Sequence, residues 1–259
     1  MDDARIAAFV NEPARAGLFL DFDGTLSEIV HVPSAARPVG GAGPLLDRLA
    51  ARFALVAIVS GRGAAELAEW LGGDVEIWGI HGAEHAVAGR IVLSQRVAPY
   101  AELMGVVRDE AHDRIERLDL EGVVVEDKGV MVGMHFRAAT DVEKARMLLD
   151  EVADELAAKH GLVRAEGRLA YELRPPIKFS KSEVVLARSA ELDLRAAMFV
   201  GDDLVDLPGF DALDELEEAG AATVRVAVRS DEVPDELLRR ADVVVEGPPG
   251  VLEFLRGLL

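Results

Sequence analysis

Short, almost wholly apolar runs recur along this chain and constrain its fold more than any other feature. Residues 17–22, 54–60, 75–80, 196–201, 223–228 and 242–245 are each too short to be buried helices and too uniformly apolar to be strands with one wet face. Such runs are what a parallel sheet requires, because its strands are covered on both sides. Between them lie amphipathic stretches near 43–52, 64–71, 181–191 and 250–258. Strand–helix alternation of this kind predicts an α/β core built on a parallel sheet. The pattern changes after about residue 96. A long helix is expected over roughly 98–118, then two β-rich runs, 122–127 and 130–137, meeting at Lys128-Gly129. A second long helix, about 141–160, leads to two further runs, 162–166 and 169–174, around Gly167. Helix, two strands, helix, two strands is an α+β unit. The expected organisation is therefore a catalytic core of residues 1–96 and 177–259, interrupted by an inserted α+β domain at 97–176.

Composition excludes several function classes. Acidic residues outnumber basic ones 47 to 28, for a formal charge of −19. Neither nucleic acid nor an anionic membrane is the partner of such a surface, since both demand positive charge. An anionic small molecule would have to be met by local cations or a metal. There is no cysteine, so thiolate chemistry and disulfides are absent. The N-terminus, Met1-Asp2-Asp3-Ala4-Arg5, is acidic, and the apolar stretch after it is broken by Asn11 and Pro13, unlike a signal peptide. No window approaches the roughly 18 apolar residues of a membrane span. A cytoplasmic monomer is expected.

The chemistry concentrates at strand ends. Asp21 and Asp23 close the first apolar run, followed by Gly24-Thr25. Side chains two apart point the same way, so both acids converge beyond the strand, where open α/β sheets bind ligands. Two ionised groups side by side are costly unless a cation or a task keeps them there. The pair points to a metal-assisted reaction in which one carboxylate is a nucleophile and the other moves protons. Gly24 permits a sharp turn, and Thr25 offers a hydroxyl and an N–H to an anion. The run at 196–200 repeats this logic, ending in Gly201-Asp202-Asp203-Leu204-Val205-Asp206. In a parallel sheet such ends share one edge, so Asp21, Asp23 and Asp202 can meet, and a set of hard oxygens suits Mg²⁺. Ser60-Gly61-Arg62 enters a helix, an arrangement that serves phosphate as well as it serves a helix cap. Lys181 opens another helix against the dipole, as a residue placed for an anion would.

Asp21-x-Asp23-Gly24-Thr25, Ser60, Lys181 and Gly201-Asp202-Asp203 stand in the order of the four motifs of the haloacid dehalogenase superfamily of phosphotransferases, which the chain resembles. Gly79-Ile80-His81-Gly82-Ala83-Glu84, Val125-Glu126-Asp127-Lys128-Gly129, His135-Phe136-Arg137 and Glu172-Leu173-Arg174-Pro175-Pro176 extend that likeness. With them, nearly the whole chain is similar to the trehalose-6-phosphate phosphatase family. The resemblance implies a Rossmann-like core with a cap inserted at 97–176. It also implies Mg²⁺-dependent hydrolysis of trehalose 6-phosphate, a small sugar phosphate. In that chemistry Asp21 is the nucleophile that becomes an aspartyl-phosphate, and Asp23 is the general acid and base. The Asp21 carboxylate, the Asp23 carbonyl and Asp202 hold the metal, with Asp203 and Asp206 as supporting acids. Ser60, Gly61 and Lys181 bind the phosphoryl oxygens. Arg62, His81, Gly82, Glu126, Lys128, Glu172 and Arg174 face the substrate, with the cap closing over the core to exclude water. His135 is expected to pack or hydrogen-bond within the cap sheet, and Trp70 and Trp78 to be core aromatics. Three departures bear on the substrate: Val205 and Leu207 stand where the family's fourth motif usually carries threonine and glutamate, and Ser182 follows the lysine in place of glycine. The alternatives are the same chemistry on another sugar phosphate, or a sugar-phosphate sensor without turnover. A phosphomutase is a further option, for which no sugar bisphosphate route is visible.

Overall fold

A computed structural model describes residues 3–30, 35–167, 169–231 and 233–259; Met1 and Asp2 of the acidic N-terminus lie outside them. In chain order the first part comprises α1 (Asp3–Asn11), β1 (Ala16–Leu20), α2 (Ala42–Ala50), β2 (Leu55–Val59), α3 (Ala64–Trp70), β3 (Glu76–Gly79), β4 (Glu84–Val87) and β5 (Arg90–Leu93). Next come α4 (Ala101–Arg117), β6 (Val124–Asp127), β7 (Val132–His135), α5 (Val142–His160), β8 (Val163–Gly167) and β9 (Ala170–Arg174). The chain closes with α6 (Lys181–Glu191), β10 (Ala196–Gly201), α7 (Leu207–Glu218), β11 (Ala222–Arg229), α8 (Asp235–Arg240), β12 (Val243–Glu246) and α9 (Gly247–Arg256). Two compact units result: Met1–Val92 with Phe179–Leu259, and Leu93–Lys178.

The first unit holds an eight-stranded sheet in the order β12-β11-β10-β1-β2-β3-β4-β5, parallel from β12 through β3. The expected α/β class and parallel core are observed. Alternation within each strand divides the apolar side chains between two layers. Leu18 and Leu20 of β1 face α1, α2, α3 and α9 through Phe9, Leu46, Leu67 and Leu252. Phe19 faces the other way, toward Val185 of α6, Phe210 and Leu213 of α7 and Leu237 of α8. Each strand is thus buried on both faces, which is why its sequence is continuously apolar. From β1 the chain runs outward to β2 and β3, then returns to place β10 on the opposite side of β1. The strand order reverses at β1, so the C-terminal ends of β1 and β10 form the crevice where such sheets carry their chemistry.

In the second unit four antiparallel strands run β6-β7-β9-β8. Val132, Met134, Tyr171 and Leu173 pack on Met104, Val107 and Ala111 of α4 and Leu149, Val152 and Leu156 of α5. Their neighbours in sequence, Gly133, His135, Glu172 and Arg174, fall on the opposite face. The Lys128-Gly129 turn lies between β6 and β7 as expected, with Gly129 at φ 72°.

Five elements were not anticipated. The β4–β5 pair turns through Ala88 and Gly89, both with positive φ (48° and 74°), which suits a two-residue hairpin; a non-glycine first turn residue hides it. Helices α1 and α8 are short and weakly patterned. Helix α7 opens with Leu207-Pro208-Gly209, a start that reads as a loop although proline is well placed in a first turn. Gly209 is there for room: a Cβ would stand 2.6 Å from two atoms of the Phe199 ring. This close approach seats α7 on β10, the strand that leads to Asp202. Two effects oppose each other in Gly209→Ala. The helix gains about 1 kcal/mol of propensity, whereas forcing a ring aside in a packed core costs about 1–3 kcal/mol. Because the ring is rigid and buried, overpacking wins, and Gly209→Ala is expected to lower the thermal midpoint by several degrees; an unchanged or raised midpoint would show that the contact is loose.

Candidate active site

Asp21 follows the last residue of β1, and Asp202 follows Gly201 at the end of β10; Leu20 and Val200 pair in register. The two strands therefore deliver their acids side by side. Asp21, Asp202 and Asp206 bring one oxygen each within 4.8 Å of one another, and all three residues are buried. Asp202 can sit there because residue 24 is glycine. At φ 71° Gly24 occupies the left-handed region, and a Cβ would fall 1.9 Å from the Asp202 carboxylate.

The ammonium of Lys181 is the cluster's internal cation. It donates to Asp21 Oδ1 at 2.7 Å and to Asp206 Oδ1 at 2.6 Å, with 1% of its side chain exposed. The Ser180 hydroxyl caps α6 by accepting from the Ser182 N–H, so helix geometry fixes where Lys181 begins its reach. Asp206 is completely buried and fully engaged. Its second oxygen accepts the N–H groups of Asp202 and Asp203 at 2.9 and 3.1 Å. It thereby shapes the turn after β10 and orients Lys181. Asp203 caps the same turn, accepting from the Leu204 N–H at 2.6 Å.

Three carboxylates against one ammonium leave an excess of two negative charges. Burial is the first cause pushing Asp21 up to about 7, with Lys181 opposing it and Asp206 adding to it. Asp202 is pushed up to about 8, by burial first and then by the charges of Asp21, Asp206 and Asp203. Two buried carboxyls held this far from their ordinary range are short of positive charge. Hard oxygens, burial and that charge deficit fit a divalent cation at Asp21 and Asp202. Asp206, already bonded to Lys181 and two N–H groups, is the less available of the three.

Asp23 stands apart from this cluster, with 43% of its side chain exposed. Arg62 holds it through a two-pronged contact, Nε to Oδ2 at 2.7 Å and Nη2 to Oδ1 at 2.9 Å. Arg62 is itself fixed by Glu66 at 3.1 Å and by the faces of Phe22 and Trp70, 5.6 and 5.5 Å away. Trp70 is thus at once a core contact and part of the cradle behind Asp23. The Thr25 hydroxyl is fully buried with no hydrogen-bond partner among the described residues, and the residue's N–H bonds the Phe22 carbonyl at 3.3 Å.

Ser60 ends β2, and its loop rests on the segment that follows β3. The Ile80 N–H donates to the Arg62 carbonyl at 2.9 Å and the His81 N–H to the Ser60 carbonyl at 2.8 Å. Ile80 and His81 reach these positions with φ of 47° and 55°, left-handed values that cost non-glycine residues energy. Gly82 continues the turn at φ 102°. The His81 ring lies 3.0 Å from where a Cβ of residue 61 would be, so Gly61 is required for His81 to pack against the loop. The sequence left phosphate binding and helix capping both open at this site. The structure gives the first N–H of α3, that of Ala64, to the carboxylate of buried Glu84 at 2.8 Å. Ahead of the helix, the Arg62 N–H donates to the Ser60 hydroxyl at 3.3 Å.

Among the second unit's residues, Lys128 donates to Glu172 at 2.8 Å and lies 3.6 Å from Glu126, whose carboxylate meets His135 Nε2 at 2.7 Å. Burial works against the Lys128 charge, but Glu172 and Glu126 outweigh it and raise its pKa. The His135 hydrogen bond, aided by Lys128, holds Glu126 below its ordinary value. Arg174 ends β9 on the same face as Glu172 and is exposed. The structure thus gathers Glu126, Lys128 and Glu172 into one group, and joins His135 to it. The grip of Arg62 on Asp23 and the capping of α3 by Glu84 were not legible in the sequence, because neither pair has a fixed sequence spacing.

A family model described as trehalose-phosphatase matches residues 19–242. A trehalose-phosphate phosphatase of Mycobacterium marinum is 36% identical over 251 residues, covering 93% of this chain and 60% of that protein. A protein of the same name from Mycolicibacterium paratuberculosis is 37% identical over 212 residues, covering 76% of this chain and 51% of its own length. The chain therefore spans roughly half to three-fifths of the length of these relatives. Among solved structures, a trehalose-6-phosphate phosphatase related protein superposes with TM-score 0.74 at 24% identity, covering 93% of this chain and 96% of its own. The C-terminal domain of the Candida albicans trehalose-6-phosphate phosphatase superposes with TM-score 0.67 at 23% identity, covering 99% of this chain and 95% of its own; these two likenesses establish the fold. With matched residues running from β1 to the segment before β12, the chain belongs to the trehalose-phosphatase family.

Proposed function

We propose that this protein is a Mg²⁺-dependent phosphatase that hydrolyses trehalose 6-phosphate to trehalose and inorganic phosphate. The observation that carries the reading is the buried cluster of Asp21, Asp202, Asp206 and Lys181 at the reversal point of the sheet. Asp21 is the nucleophile: its carboxylate attacks phosphorus, and the bond from phosphorus to the sugar oxygen breaks. Asp23, outside the buried cluster and held by Arg62, delivers a proton to that leaving oxygen. The resulting carboxylate of Asp23 then takes a proton from a water that attacks the aspartyl-phosphate. Phosphate departs and Asp21 is restored. Dividing the hydrolysis this way replaces one difficult displacement with two easier ones. Lys181 keeps Asp21 oriented and offsets its charge, and Ser60 with the Gly61 N–H meets the phosphoryl oxygens. Asp21, Asp202 and the Asp23 carbonyl would hold the Mg²⁺, whose charge would neutralise the transferring group and the two acids together. Glu126, Lys128, Glu172 and Arg174 supply charge-assisted hydrogen bonds to sugar hydroxyls. In the core, Arg62, His81 and Gly82 border the same substrate. Division between two units, 1–96 with 177–259 and 97–176 by sequence pattern, assigns phosphoryl chemistry to the first and sugar recognition to the second.

Val205 and Leu207 favour a second reading, hydrolysis of a different sugar phosphate. Val205 is exposed in the turn between Asp203 and Asp206, where the motif usually offers a polar group. Losing a hydrogen-bonding group discriminates strongly among substrates.

Two measurements decide between these readings. With Mg²⁺ present, kcat/KM for trehalose 6-phosphate should exceed that for glucose, sucrose and mannose 6-phosphates by about 100-fold or more, and Asp21→Asn should abolish at least about 10³ of the turnover. Preference for another sugar would retain the mechanism and discard the substrate; an active Asp21→Asn variant would discard the nucleophile. Metal binding is read separately, without turnover. Mg²⁺ at about 100 times its dissociation constant should stabilise the fold by about 2.7 kcal/mol, seen as a raised thermal midpoint. Asp202→Asn should lose that shift, and a shift of equal size in the variant would remove Asp202 from the metal site.

A further inference from the structure

Helix α3 opens on Gly63, which occupies the cap position and has no side chain with which to hold the first N–H groups. The missing cap arrives from another strand. Glu84, the first residue of β4 and itself buried, accepts the Ala64 N–H at 2.8 Å. The same returning segment holds residues 60–64 along their length. The Ser60 N–H donates to the Trp78 carbonyl at 3.0 Å, the His81 N–H to the Ser60 carbonyl at 2.8 Å and the Ile80 N–H to the Arg62 carbonyl at 2.9 Å. A Cβ on Gly79 would stand 2.3 Å from the Ala64 nitrogen, so the two segments lie backbone against backbone. Those three bonds do not depend on side-chain identity, whereas the fourth, at the helix, rests on Glu84. Helix α3 in turn carries the groups around Asp23. Arg62 lies two residues ahead of its first turn, and Glu66 and Trp70, which fix the guanidinium at 3.1 and 5.5 Å, are on the helix itself. With 10% of its side chain exposed, Arg62 makes the two-pronged contact to Asp23.

We infer that Glu84 is a positioning residue, which acts through α3 to hold Arg62, and through Arg62 holds the Asp23 carboxyl where it protonates the leaving oxygen. The inference rests on the reading above in which Asp23 is the general acid, and adds to it the residue that keeps that acid aimed. A carboxylate suits the task because the N-terminus of a helix favours negative charge. Without it the buried Ala64 N–H is left unpaired, and the first turn of α3 is free to shift, taking Arg62 and Glu66 with it. Asp23, half-exposed and anchored by Arg62, follows. A displacement of about 1 Å in such a group costs about 10²-fold in rate. Attack on phosphorus is insulated from this chain of contacts. Ser60 is secured by backbone bonds to Trp78 and His81, and Asp21 is held by Lys181 in the separate buried cluster.

The test compares two substrates in the full chain with Mg²⁺ present: trehalose 6-phosphate, whose sugar oxygen takes a proton as it leaves, and p-nitrophenyl phosphate, whose nitrophenolate leaves without one. The comparison uses kcat/KM, which extends only to departure of the leaving group and so excludes the later attack of water. Glu84→Ala should lower kcat/KM for trehalose 6-phosphate by about tenfold or more and that for p-nitrophenyl phosphate by no more than about twofold. Glu84→Gln keeps an acceptor for the Ala64 N–H and should stay within about threefold of wild type on both substrates. Glu84→Asp, one methylene short of that N–H, should show the same split as alanine and carries the test if the alanine variant does not fold. Equal losses on both substrates, full sugar-phosphate activity in the alanine variant, or a glutamine variant that behaves as alanine would each overturn the inference and leave the phosphatase reading intact. If the wild type prefers another sugar phosphate, the same split is expected on that sugar, whose oxygen needs the same proton. A wild type that hydrolyses p-nitrophenyl phosphate but no sugar phosphate would overturn the sugar-phosphatase reading, and this inference with it.

Discussion

The Lys181 ammonium, wedged between Asp21 and Asp206, is the interaction on which the rest of the core's chemistry depends. Removing an ammonium and two carboxylates from water is expensive, and such a group persists only with close geometry and every remaining donor and acceptor engaged. The close geometry is present on both sides. Asp206 spends its second oxygen on the N–H groups of Asp202 and Asp203, Lys181 reaches both acids within 2.7 Å, and α6 starts at the lysine itself. The cluster is nonetheless incomplete in charge. Asp21 and Asp202 are driven up to about 7 and 8, chiefly by burial. A site so short of positive charge is arranged to receive it from outside, as the proposed divalent cation would supply it.

Around this centre the structure separates rigid acids from adjustable ones. Asp21, Asp202 and Asp206 are buried, and glycines at 24 and 201 are what let them approach the backbone: a Cβ on either would collide with a carboxylate. Asp23 is half-exposed and governed by Arg62, whose aromatic cradle and Glu66 contact fix it independently of the buried cluster. A nucleophile needs a single orientation; a group that both gives and takes a proton benefits from access to solvent. The strained pair Ile80-His81 serves the same end, since its left-handed backbone lets two N–H groups brace the Ser60 loop.

The second unit follows another design. Its helices cover one face of a small antiparallel sheet, and the uncovered face carries alternating charge instead of alternating solvent-facing filler. Glu126, Lys128, Glu172 and His135 bond one another in pairs, so the face is polar and internally connected. Repeated two-residue spacing makes this possible, because on strands it puts successive functional groups on one side.

Much of this was legible from residue order alone. Continuous apolar runs announced strands covered on both faces, and helices α5 and α6 were expected near 141–160 and 181–191; the structure adds their Asp141 and Ser180 caps. Paired aspartates after two such runs located the chemistry, because parallel strands must end on a common edge. Other features were invisible for a common reason: they depend on distance in space. Helix α7 hides behind Pro208 and Gly209 because Phe199, on the preceding strand, requires the gap at Gly209. Glu84 reads as a member of a short motif until β4 folds back to cap α3, which redirects the helix N-terminus from phosphate to a carboxylate. The sequence by itself determined the strand-end acids, the parallel core and the inserted α+β unit, since local periodicity and burial dictate them. Only the tertiary structure decided that Lys181 sits between Asp21 and Asp206 and that Arg62 grips Asp23, since those follow from packing between segments far apart in the chain.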